Sequence, residues 1–103
     1  MLDLTKLESL LGGNEKMVNR FIDIFRTQTP QQLNSLTDAI SKSNWSEASI
    51  TAHAIKSQCK YLGLDDIAEL ASRIEQLTEK QTQLNLIPGL NEILRSKVND
   101  ILN

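Results

Sequence analysis

Residues 44–63 read NWSEASITAHAIKSQCKYLG, and the spacing inside this stretch decides the fold. Trp45, Ala48, Ala52, Ile55, Cys59 and Leu62 follow one another at steps of three and four. Such steps lay a continuous apolar seam along one side of an α-helix. Asn44 stands three residues before Glu47, the spacing of a helix start in which a side-chain oxygen caps free amides. Gly63 ends the helix.

The same pattern recurs on both sides of this helix. Leu2, Leu4, Leu7, Leu10 and Leu11 form a short stripe ahead of Gly12-Gly13, which predicts a brief leading helix. Asn14 opens a longer helical segment in which Met17, Phe21, Ile24 and Phe25 mark the apolar face, continued by Leu33, Leu36 and Ile40. Pro30 falls inside it and predicts a kink or a short break near Thr29, because proline lacks a donor and crowds the carbonyl four residues earlier. After Gly63, Asp65 and Asp66 suit a helix N-terminus, and Leu64, Ile67, Leu70, Ala71, Ile74 and Leu77 supply the next seam. Glu79–Gln83 reads as a polar loop. Pro88 is placed for a first helical turn, and Ile87, Leu90, Leu94, Val98 and Ile101 form the last stripe. Four amphipathic helices with short connections bury their stripes by packing around a shared core. The expected fold is all-α, an antiparallel four-helix bundle with a short additional N-terminal helix, as one domain over residues 1–103.

Composition narrows the function. The chain has 103 residues, with 16 Leu and 10 Ile against 2 Val and 4 aromatics, which disfavours an all-β sandwich. One His and one Cys supply neither a disulfide framework nor a four-ligand zinc site. The net charge of −2 removes the global basic field on which non-specific nucleic-acid binding depends. No apolar run reaches the eighteen residues of a membrane span, and no signal-peptide pattern is present. A cytoplasmic protein with protein partners is expected, without membrane or nucleic-acid contact of its own and acting as a monomer.

A helix turns 100° per residue, so the polar residues of the 44–63 stretch can be placed relative to its seam. Ser49, His53, Lys56, Ser57 and Lys60 cluster about 110° around from it, toward water, with the single imidazole mid-helix and both lysines on its side. Ile50, Ala54 and Tyr61 lie next to this stripe. They are candidates either for docking a partner or for packing against a neighbouring helix. Cys59 and Trp45 belong to the seam and read as core.

The block Ala52-His53-Ala54-Ile55-Lys56-Ser57, followed by Leu62-Gly63 and an acidic, aliphatic helix, resembles the signature of the histidine-containing phosphotransfer (HPt) domains of phosphorelays. That signature is Ala-His-x-Leu-Lys-Gly, then Leu-Gly. The segment Phe21–Leu36 and the Asn44-Trp45 entry resemble the family's preceding elements, so the likeness spans most of the chain. It departs from the pattern at Ser57, where glycine is usual, and at Gln58 and Lys60, where small residues are frequent.

The resemblance implies a four-helix bundle in which His53 accepts a phosphoryl group from an aspartyl phosphate on a receiver domain and passes it to another. Partners would be response-regulator receivers, a hybrid sensor histidine kinase, or both. The chain would act as an intermediary without turnover of its own. Lys56 is then the phosphoryl counter-charge. Two unit charges about 4 Å apart interact by about 1 kcal/mol in water and about 4 kcal/mol at an effective dielectric of 20, so Lys56 assists by about ten- to a few hundredfold when a docked partner excludes solvent, and by less when free. Lys60 would reinforce it. Ser57 Oγ would donate to a phosphoryl oxygen or contact the imidazole Nδ1, with Nε2 the attacking atom. Docking falls to Ser49, Ile50, Ala54 and Tyr61. This chain binds no cofactor in that reading; the receiver brings Mg²⁺, since no carboxylates are expected to cluster on the histidine face. The alternative is a helical interaction or dimerisation module in which His53 is incidental.

Overall fold

The computed structural model describes residues 5–102. Helix α1 spans Thr5–Leu10, α2 Glu15–Ser41, α3 Trp45–Tyr61, α4 Asp65–Lys80 and α5 Ile87–Leu102, with a 3-10 turn at Leu84–Leu86 leading into α5. No strand occurs among the described residues. The long helices form a ring: α2 packs on α3, α3 on α4, α4 on α5, and α5 returns to α2. Short connections make chain neighbours antiparallel.

Local signals set the boundaries. Asn14 Oδ1 accepts the Met17 amide at 3.2 Å and Asn44 Oδ1 accepts that of Glu47 at 3.3 Å, each supplying a partner that the first turn of a helix lacks. Gly63 takes φ +73°, a left-handed conformation open to glycine without steric cost. The Leu64 amide then reaches back to the Cys59 carbonyl at 2.9 Å, so α3 turns into α4 within three residues.

The core is the set of seams. Ala48, Ala52, Ile55 and Cys59 of α3 and Leu62 at its C-terminal end are buried, in one core cluster with Ile67, Ala68, Ala71 and Ile74 of α4. Each large aliphatic side chain sealed in this way contributes about 1.5–3 kcal/mol. The alanines also have a geometric effect. Small side chains in a seam leave room for a neighbouring helix to come near; two alanines on each helix are buried, and the α3–α4 interface is the most extensive in the bundle.

Three expectations need correction. Met17 and Ile24 are exposed, 51% and 38%; the buried line of α2 runs instead through Val18, Phe25, Thr29, Leu33 and Leu36, because only this line faces α3 and α5. At Pro30 there is no break: α2 is one helix of 27 residues. Phe25 and Thr29 before the proline and Leu33 after it are buried in the same bundle, and Thr29 Oγ1 donates to Gln58 Oε1 of α3 at 3.1 Å. Tertiary packing keeps both halves within one helix despite the missing donor. Finally, Glu79 and Lys80 are helical, so the polar loop is shorter, turning through Gln81 and Gln83 in left-handed conformations. Polar composition marked them as loop, but burial of Thr78 one residue earlier carries the helix on. Leu2 and Leu4 of the leading stripe lie outside the described residues, and Leu10 is exposed.

Candidate functional site

Position along the helix determines what each side chain of α3 can reach. His53 stands near the middle, on the side next to α4, with its side chain 59% exposed. It lies ten residues before Gly63, and Glu75 lies twelve after it. In a tight antiparallel hairpin residues at similar distance from the turn face each other, within bonding range here. His53 Nδ1 lies 2.7 Å from Glu75 Oε2, and Lys56 Nζ lies 2.6 Å from Glu75 Oε1. One carboxylate therefore ties together the imidazole and the lysine one turn further along.

The charge state of Glu75 follows from its surroundings. Burial works against its ionised form, but hydrogen bonds from Lys56 and His53 and the charges of both outweigh it and hold the carboxyl below its ordinary value of 4.5. An ionised carboxylate only accepts hydrogen bonds. Nδ1 must therefore be the donor, and in the neutral ring the lone pair then resides on Nε2. This tautomer is assigned from the bonding pattern.

Two expectations about this face change. Lys56 does not stand free in water: its side chain is only 19% exposed and is paired with Glu75. A carboxylate is present beside the histidine after all, supplied from α4. Reading α3 alone missed it, because Glu75 sits on a different helix. The signal that finds it is the length of the hairpin.

The other residues singled out on α3 divide by position. Ser57 is half-buried, and the imidazole Nδ1 expected of it belongs to Glu75. Lys60 is exposed and shares a shallow groove of about 330 Å³ with Leu10, Ser57 and Tyr61. Ser49 and Ala54 are half-buried, whereas Ile50 is 62% exposed. Tyr61 packs its ring edge-on against Phe21 of α2, centroids 5.8 Å apart, and half of it stays exposed. Cys59 is sealed in the core, where burial, with the charge of Asp66 adding to it, pushes the thiol up to about 12. Trp45 is half-buried and opens onto a cleft of about 480 Å³ beside His53. Among the described residues no three His, Cys, Asp or Glu side chains come together to hold a metal ion, and no helix is long and apolar enough to cross a membrane.

The arrangement presents a water-accessible imidazole nitrogen, a carboxylate fixing the ring from behind and an ammonium within the same network. It can take up an electrophilic group at Nε2. Compared with known families, residues 20–103 match the model described as Hpt domain. Neither curated proteins nor solved structures gave a match.

Proposed function

This chain belongs to the Hpt domain family, whose members carry out histidine phosphotransfer in two-component phosphorelays as intermediaries between receiver domains and kinases, and we propose that His53 is its phosphoacceptor. The observation that carries this reading is the exposed imidazole whose Nδ1 is occupied by Glu75, which leaves Nε2 as the nucleophile.

In the proposed step Nε2 attacks the phosphorus of an aspartyl phosphate on a docked receiver. The N–P bond forms as the P–O bond to the aspartyl carboxylate breaks, and the electron pair departs with that carboxylate. The Nδ1 proton remains on the ring, and the ring's growing positive charge is met by Glu75. Transfer to a second receiver is the reverse. Glu75 positions the ring and fixes its tautomer. Lys56 begins paired with Glu75 and turns Nζ to a phosphoryl oxygen as the dianion arrives. Ser57 Oγ and Lys60 offer further contacts on the same side. Ser49, Ile50, Ala54 and Tyr61 form the docking rim, small residues close to the nucleophile and large apolar ones further out. The receiver holds the Mg²⁺. The chain acts in the cytoplasm as a monomeric carrier, residues 1–103 forming one domain.

The test mixes the protein with a labelled, phosphorylated receiver. Acid-labile label appears on the wild-type chain and is absent from His53→Gln. Undiminished label on that variant overturns the assignment. Receiver binding that survives His53→Ala, with no label on the wild type, favours the interaction-module reading instead.

A further inference from the structure

The two flanks of His53 carry opposite charge. Toward α1 the shallow groove is lined by Lys60 with Leu10, Ser57 and Tyr61, and no carboxylate. Toward α4 the larger cleft includes Glu75 and Glu79 and neither lysine nor arginine.

The two carboxylates of the cleft differ in employment. Glu75 is committed to His53 and Lys56. Glu79 is exposed and has no ion-pair partner among the described residues. It also stands in the last turn of α4, where the carbonyl end of the helix disfavours negative charge. Helix stability therefore gives no reason for a carboxylate at this position. The remaining wall is of another kind: Trp45 and Ile50 are apolar, with the Ser46 and Ser49 hydroxyls beside them.

An occupant has to match both surfaces. A purely apolar segment would desolvate Glu79 without compensation. Among the described residues no three His, Cys, Asp or Glu side chains are grouped to hold a metal ion. A lysine or arginine side chain fits, its aliphatic stem along Trp45 and Ile50 and its charged tip at Glu79. The volume of about 480 Å³ admits one such side chain together with some of the backbone presenting it.

Resting on the assignment of His53, we infer that this cleft is the specificity pocket of the phosphorelay interface and receives a basic side chain of the docked receiver. A cation held on the α4 side fixes how the receiver is rotated about His53. Its acidic acceptor site then lies over the Lys56–Lys60 side, so the correctly rotated encounter is the one the charges favour.

The experiment uses the receiver that labels His53 in the assay above and measures transfer against receiver concentration for wild type, Glu79→Gln and Glu79→Lys. The half-saturating concentration is expected to rise about threefold to tenfold in Glu79→Gln and more than tenfold in Glu79→Lys, with a shallower salt dependence in the former. The saturating rate stays within about twofold, because charge at the rim acts on encounter and not on the chemical step. Replacing the receiver's matching Arg or Lys by Glu restores tight use of Glu79→Lys. Equal half-saturating concentrations in all three proteins, each folded by circular dichroism, overturn the pocket and leave His53 as phosphoacceptor intact. Failure of every receiver to label His53 overturns both.

Discussion

Helix α3 carries two nucleophiles six residues apart, and the bundle treats them in opposite ways. Cys59 is fully buried, its thiol pushed up to about 12, so the thiolate that reacts is almost absent near neutrality. His53 is 59% exposed and has one ring nitrogen bound to an ionised carboxylate, so its other nitrogen is free to react. Intrinsic reactivity ranks the two groups the other way round. Environment decides: about a third of a turn around the cylinder separates a side chain that fills space from one left open to react.

The contrast can be broken deliberately. Replacing His53 by Gln has the largest effect, complete loss of acid-labile label on an otherwise native bundle, read by phosphotransfer beside circular dichroism. Ile55→Ala acts on the opposite face. It leaves a cavity in the core and costs about 2–5 kcal/mol by urea unfolding, while the fraction that remains folded is still labelled. Glu75→Ala frees the ring and its tautomer and is expected to slow transfer by about a hundredfold. Glu75→Gln keeps an acceptor for Nδ1–H and recovers about tenfold of that loss. A side chain that merely filled space would show no such difference between the two variants.

Acid sharpens the same point. Glu75 titrates below its ordinary value of 4.5 in the folded protein. The stability it contributes is therefore present above that ordinary value and lost as pH falls through the lower folded one. Urea titrations from about pH 6 to about pH 3 should show this component in wild type and not in Glu75→Gln. The smallest effect expected is on Cys59. A thiol reagent at neutral pH should modify it only at the rate of global opening, so that Ile55→Ala accelerates modification in proportion to its loss of stability.

Much of this was legible in the chain. The steps of three and four from Ala48 to Leu62 gave the inner face of α3 residue by residue, and Asn14, Asn44 and Gly63 marked boundaries that the backbone respects. These are local signals with local causes. Met17 and Ile24 misled because helical spacing identifies a stripe without saying whether a partner helix reaches it. At Pro30 the break is absent for the converse reason, since buried contacts on both sides outweigh one missing donor. Glu79 and Lys80 read as loop by polarity, but they complete the last turn of α4. At the site, His53 and Lys56 were found from one helix, and Glu75 was not, because it joins them only through the α3–α4 register. That register depends on the glycine turn and on the alanines that let the two helices close.

The unequal length of α2 has a further consequence. Its 27 residues span about 40 Å, against about 25 Å for a helix of 16 or 17, and the molecule is 42 Å long but only 20–22 Å across. Five of its seven buried residues fall at or after Thr29. The first turns are braced mainly by α1 and by the Phe21–Tyr61 ring contact. Amide exchange along α2 should accordingly be graded, slow from Leu33 to Ile40 and faster around Met17. A protein that binds over Tyr61 would then tighten a mast already fastened at its foot, coupling occupancy at one end of the bundle to the rigidity of its longest helix.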